Sequence, residues 1–165
     1  MRQCTTDKPN DLTNLFPCNS HHYFLPVIIN GSKVHAVVDP GSNVTIVSRG
    51  AARALNLSCN GISTSNSFQS VTGTESGYEG ISRNITMAFH PMFEFDVDLV
   101  KVSQNDNFLI LLGNDILSDN ACYEYKGLKR KASDAKLRFY NKQQDILIDC
   151  PCIVGHDNTK VTDNV

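Results

Sequence analysis

The sequence predicts an all-β domain, and three observations carry that prediction. Asn, Asp, Ser and Thr supply 53 of the 165 residues, a density of turn-forming side chains that suits many short strands joined by tight turns. Val, Ile and Thr supply 34 β-branched residues, which pack well on a pleated surface. Good helix formers are scarce, with 8 Ala and 4 Glu, so at most one or two short helices are expected.

Taken in chain order, residues 1–20 are polar and aperiodic and read as a flexible N-terminal tail or linker. Residues 22–30, HYFLPVIIN, are apolar and β-branched, a strand in which Pro26 implies an edge position or a bulge. Asn30-Gly31 is a strong hairpin signal, and KVHAVV (33–38) follows as the second strand. A sharp Asp39-Pro40-Gly41-Ser42-Asn43 loop leads into VTIV (44–47), and Ser48 is placed to cap a short helix over RGAARAL. Residues 58–77 are rich in Ser, Thr, Gly and Asn, with Gly73 and Gly77 able to turn the chain back as a hairpin.

Strands are then expected around Gly80–Phe89 and Phe93–Val102. The second alternates Phe93, Phe95, Val97 and Leu99 against Glu94, Asp96 and Asp98. FLILLG (108–113) is an unbroken apolar run and reads as a strand buried on both faces. Asn114–Leu117 opens a short helix. ACYEY (121–125), KLRFY (136–140) and DILI (145–148) are late strands, and residues 150–165 read as a C-terminal tail. The folded domain is accordingly expected over 21–149, a size that can bury a proper core.

Charge and composition exclude several classes. A formal net charge of −2 gives no basic excess for a dedicated nucleic-acid binder. The six basic residues between Lys126 and Arg138 read as a solvated loop. No apolar run approaches the roughly 20 residues of a membrane span, and MRQCTTDKPNDLTNL has no signal-peptide core. An intracellular, cytoplasmic location with free thiols is therefore expected for the six cysteines. Cys18, His21 and His22, with Cys150, Cys152 and His156, match no standard zinc spacing, so no metal is expected. Phosphate-binding glycine loops and Gly-x-Ser-x-Gly elbows are missing.

Two segments carry chemistry. HAVVDPGSNVTIVS (35–48) puts a carboxylate, Asp39, on a tight turn at the end of an apolar strand. The Gly41 N–H and the Ser42 hydroxyl are expected to donate to it, and donors of that kind favour the ionised form. Held so, the carboxylate is set up for acid–base work. About 70 residues later, FLILLGNDIL (108–117) runs from apolar strand through Gly113 into a helix, whose first turn Asp115 is expected to cap.

Together these segments resemble the retropepsins, the retroviral-type aspartic proteases, including those of gypsy-like retrotransposons and the protease-like domain of DNA-damage-inducible ubiquitin-shuttle proteins. The matching residues are Val37-Val38-Asp39-Pro40-Gly41-Ser42 and Ile110-Leu111-Leu112-Gly113-Asn114-Asp115, and the resemblance covers about 22–148. It implies an acid-protease barrel that works as a homodimer. Asp39 would be the catalytic residue; Pro40, Gly41 and Ser42 would form its loop. Leu112, Gly113, Asn114 and Asp115 would support that loop from beneath. Val71, Thr72, Gly73 and Thr74 would form the substrate-binding flap. The substrate would be a peptide or polyprotein, with no cofactor. Asp39 is the one Asp followed at +2 by Gly, so each chain offers one such loop and the second must come from a partner copy.

The family has Thr or Ser where this chain has Pro40. Its hydroxyl and N–H link the two loops across the dimer axis, and proline has neither. The alternative left open is a retropepsin-fold module that binds peptides or dimerises without cleaving. An unrelated β-sandwich is disfavoured by the flap-like segment and the FLILLG–helix pair.

Overall fold

A computed structural model describes residues 8–18, 22–61, 67–69, 75–91, 93–97, 100–118, 122–126, 136–141 and 145–154. Its strands are β1 (Asn10–Asp11), β2 (Tyr23–Ile29), β3 (Ser32–Val38), β4 (Ile46–Ser48), β5 (Asn60–Gly61), β6 (Ser67–Gln69) and β7 (Glu75–Ser82). They continue with β8 (Ile85–His90), β9 (Phe93–Val97), β10 (Val100–Ser103), β11 (Ile110–Leu112), β12 (Cys122–Lys126), β13 (Lys136–Asn141), β14 (Ile146–Pro151) and β15 (Ile153–Val154). Two short helices, α1 (Arg49–Ala54) and α2 (Asn114–Leu117), follow β4 and β11. The fold is all-β, as expected.

One large sheet runs in the order β5-β7-β10-β4-β11-β3-β2-β8-β9, with β1 beside β3, β15 beside β2 and β6 beside β7. The β2–β3 hairpin turns where the sequence marks it. Asn30 (φ 47°) and Gly31 (φ 83°) both take positive φ, the geometry that matches the twist of the flanking strands. Along β3, Val34, Ala36 and Val38 point into the core, which leaves His35, Val37 and, just beyond the strand, Asp39 on the other face.

A second sheet, β12-β13-β14, docks on β8 and β9 through aromatic rings. Phe139 lies 4.8 Å from Phe89 and 5.4 Å from Phe93, and Leu137, Ile148 and Cys150 are buried with it.

Several expectations are corrected here. Phe93–Val102 is two strands: β9 pairs with β8, whereas β10 pairs with β7 and β4. An alternating pattern fixes which face is buried but not which neighbour a strand takes. Glu94, placed on the polar face by alternation, is buried. Gly80–Phe89 is likewise divided, by a turn at Asn84 (φ 56°). Pro26 lies inside the sheet rather than on an edge. Opposite β3, β2 meets β15 through Tyr23 and Phe24 and β8 through Ile28 and Ile29. The missing proline N–H falls between those two partners. Of the run 108–113, only Ile110–Leu112 forms strand; Phe108 and Leu109 are 40% and 39% exposed.

The ends are also more structured than a tail. Within 1–20, β1 pairs with Ser32 and Lys33, and Phe16 is buried in the core. Within 150–165, β14 runs through Pro151 and β15 pairs with β2. Leu15-Phe16 and Ile153-Val154 are isolated apolar pairs, too short to carry a periodic signal.

Candidate active site

The geometry around Asp39 follows from one strand insertion. β11 lies between β3 and β4, parallel to the first (Leu112 beside Val38) and antiparallel to the second (Ile110 beside Val47). The loop joining β3 to β4 must therefore pass over the end of β11, where Gly113 stands. A Cβ on Gly113 would collide with the Val44 carbonyl and sit 3.0 Å from the Ser42 carbonyl oxygen. Only glycine lets the loop cross that closely.

Hydrogen bonds fix the loop to the segment below. The Asp39 N–H donates to the Leu112 carbonyl at 3.0 Å and the Asn114 N–H to the Ser42 carbonyl at 2.8 Å. The Asn114 side-chain amide donates to the Pro40 carbonyl at 2.5 Å. Farther along, the buried Thr45 hydroxyl accepts from the Gly113 N–H at 3.0 Å and donates to Asp115 Oδ1 at 2.7 Å. Asp115 Oδ2 accepts from the Thr45 N–H at 2.9 Å.

At Asp39 itself, the expected Gly41 N–H bond is present, 3.0 Å to Oδ1. The expected bond from Ser42 is not. Its hydroxyl donates to the Val44 carbonyl at 2.8 Å and so braces the turn. The expected cap at Asp115 is also different. Gly113 occupies the N-cap position; Asp115 accepts from its own helix at Ile116 N–H, 2.9 Å, and spends its remaining capacity on Thr45. The sequence reasoning missed Thr45. A Thr on the far side of an Asp-x-Gly turn has no local pattern to mark it, since its partner is 70 positions away.

Along β3 runs a groove of about 570 Å³, lined by Phe16, Phe24, His35, Val37, Phe108 and Leu109 among others. Val37 and His35 carry its floor away from Asp39 along one face of β3. His35 Nδ1 lies 3.2 Å from the Phe16 carbonyl and 3.4 Å from Cys18 Sγ. Cys18, considered as a metal ligand, thus meets His35, while His21 and His156 fall outside the described residues. Among the described residues no group of three His, Cys, Asp or Glu is placed to hold a metal ion.

Of the hairpin expected as the flap, the stem is described: β6 pairs with β7 (Gln69 beside Glu75). Val71, Thr72, Gly73 and Thr74 lie outside the described residues. On β7, Tyr78 is buried, and its hydroxyl is pushed up by burial and by the Asp115 carboxylate. Lys101 sits 4.8 Å over the Tyr78 ring.

A strand–Asp-x-Gly–strand loop seated on a strand–Gly–helix segment defines a retropepsin-like protease fold. The family model described as "gag-polyprotein putative aspartyl protease" matches residues 25–119, and the chain belongs to that family. The retroviral protease-like domain of Ddi1 from Leishmania major has a similar structure: TM-score 0.53 and 15% identity, covering 85% of this chain and 98% of that one. A retropepsin-like aspartic protease from Rickettsia conorii aligns with TM-score 0.49 and 16% identity, over 67% of this chain and 90% of its own. A search of curated proteins found no match. No described helix is long and apolar enough to cross a membrane.

Proposed function

We propose that the protein is an aspartic endopeptidase in which two copies of Asp39, one from each chain of a homodimer, activate a water to hydrolyse a peptide bond. The observation that supports this best is the seating of Asp39. Its backbone is tied to Leu112, one carboxylate oxygen accepts from the Gly41 N–H, and Val37, two residues before it in the chain, lines the groove.

Two carboxylates facing each other at roughly 3 Å repel by about 5 kcal/mol at an effective dielectric near 20. The pair therefore holds a single shared proton. The ionised member takes a proton from the bound water, and the protonated member donates to the scissile carbonyl as the tetrahedral intermediate forms. The hairpin formed by β6 and β7 closes over the peptide and excludes bulk water. In this reading Ser42 braces the loop, and Leu112, Gly113, Asn114 and Asp115 hold it from below. The gag-polyprotein description of the family suggests the substrate: an extended segment of a retroelement-type polyprotein, processed in the cytoplasm.

Pro40 supports a second reading, a peptide-binding or dimerising module without cleavage. Proline contributes neither of the groups that link the loops in the family, and its carbonyl is engaged within the chain by Asn114. One experiment separates the two. Purified protein is incubated with an unfolded polypeptide at pH 4–6, with and without a hydroxyl-bearing peptide mimic, beside Asp39→Asn. The protease reading expects cleavage that the mimic blocks and that Asp39→Asn abolishes, with thermal unfolding unchanged. More than a few per cent of residual cleavage by Asp39→Asn would remove Asp39 from its role. Binding of the mimic without cleavage would favour the module.

A further inference from the structure

Phe108 and Leu109 form a wall of the groove that Val37, two residues before Asp39, also lines, yet they belong to no strand or helix. The wall is a stretch of irregular chain from Gln104 to Leu109. Its inner end is pinned at Ser48. The Ser48 N–H donates to the Leu109 carbonyl at 2.9 Å, the Leu109 N–H donates to Ser48 Oγ at 3.0 Å, and Ser48 Oγ donates to the Asn107 carbonyl. Gly50 packs against the Asp106 and Asn107 carbonyls with no room for a side chain.

The outer end has less to hold it. One backbone bond reaches it, from the Gly50 N–H to the Asn105 carbonyl at 3.2 Å. The rest is a fork: Arg49 Nε and Nη2 donate to the two Asp106 oxygens, each at 2.7 Å. Arg53 stands 3.6 Å from the same carboxylate. The third nitrogen of the Arg49 guanidinium, Nη1, lies 3.6 Å from Glu79 on β7. One side chain therefore spans from the groove wall to the strand that carries the hairpin.

We propose that Arg49 is a positioning residue that sets the peptide selectivity of the groove: it holds the Gln104–Leu109 wall, through Asp106, close enough to His35 and Val37 to favour a large apolar side chain next to the cleaved bond. This rests on the reading of the Asp39 face as a peptide site. The occupant follows from geometry. Val37 and Asp39 lie two residues apart on one face, about 7 Å, the same spacing as alternate side chains of an extended peptide. The exposed faces of Phe108 and Leu109 give that side chain an apolar surface to cover.

The fork is suited to positioning rather than to stability. With Arg49 30% and Asp106 63% exposed, such a pair adds little to folding. Its two parallel bonds fix direction as a lysine could not. Arg49 also keeps Asp106 ionised well into acid, its hydrogen bond drawing that carboxyl below the usual range.

The test uses binding, so it does not depend on cleavage. Three extended peptides differing only in one central side chain, Ala, Leu or Phe, are titrated into the wild-type protein, Arg49→Gln, Arg49→Lys and Asp106→Asn. Wild type is expected to prefer Phe over Ala by about 30-fold. Arg49→Gln and Asp106→Asn should narrow that to about fivefold, with Arg49→Lys between, while thermal unfolding midpoints stay within about 2 °C. An unchanged preference in Arg49→Gln and Asp106→Asn would overturn the proposal, as would a wild-type protein that binds none of the peptides. Peptides that bind with the expected pattern but are not cleaved would leave the role of Arg49 standing and remove only the enzymatic reading.

Discussion

Thr45 and Asp115, 70 positions apart, are joined by two hydrogen bonds. The Thr45 N–H donates to one carboxylate oxygen at 2.9 Å and its hydroxyl to the other at 2.7 Å. The same hydroxyl accepts from the Gly113 N–H. One buried side chain thus fastens the far end of the Asp39 loop to the first turn of α2, and the position of Asp39 depends on it.

Thr45→Val keeps the shape but removes the hydroxyl, leaving the Gly113 N–H unpaired and taking from Asp115 Oδ1 one of its two donors, the other being the Ile116 N–H. The expected loss is about 2–4 kcal/mol. Thr45→Ser keeps the hydroxyl and loses one buried methyl, for about 1 kcal/mol. Urea unfolding of both variants reads the difference; Val no worse than Ser would show that the hydroxyl is not what holds the loop.

Pro40→Thr should tighten the dimer. The hydroxyl and N–H it restores would make two to four hydrogen bonds across the axis, each worth roughly 1 kcal/mol. That corresponds to about 30- to 1,000-fold in dissociation. Sedimentation equilibrium, with specific activity followed over a dilution series, measures it. Association left unchanged or weakened would mean that the loops do not meet as in the family.

Cys150 and Cys59 should differ sharply toward thiol reagents. Both carry free thiols. Burial holds the Cys150 thiol up at about 12, so it stays protonated and inert near pH 8, whereas Cys59 is exposed. Among the four described thiols, mass spectrometry after brief alkylation should find the exposed Cys59 modified first and Cys150 last. Because the folded value lies above the unfolded one, this group favours the folded state below about pH 9, and its contribution is lost as pH rises toward about 12. Cys150→Val should flatten that alkaline decline; a decline of the same steepness would place its cause elsewhere.

Residues 67–82 should exchange amide hydrogens faster than β2, β3 and β11, and a bound peptide mimic should slow them. Among the described residues β6 has only β7 as a sheet partner, and segments with few buried contacts open most readily. Ligand protection confined to other parts of the chain would remove the hairpin from the peptide site.

The parts of the fold legible in the sequence are those with local causes. Asn30-Gly31 turned the first hairpin because both residues tolerate positive φ. Ser48 capped α1 because its hydroxyl reaches the Ala51 N–H at 3.1 Å. Asp39 with Gly41, and Gly113 before α2, were recognisable as a pair of short motifs. The Ser42 hydroxyl, expected at Asp39, goes instead to the Val44 carbonyl, and to the Ile116 N–H that Asp115 accepts in its own helix the tertiary structure adds the two bonds from Thr45.

What the sequence by itself determined, then, is the class of fold, most of its strands and the Asp-x-Gly turn that holds Asp39, since composition, alternation and turn residues act over a few positions. Only the tertiary structure decided that β11 inserts between β3 and β4, that 93–102 divides between two sets of neighbours, and that Phe16 is core while Phe108 and Leu109 are a wall. Strand pairing joins groups far apart in the chain, and its free energy comes from surfaces and hydrogen bonds that exist only once both partners are in place. For that reason no stretch of sequence around Thr45 or Arg49 announces the residues they hold.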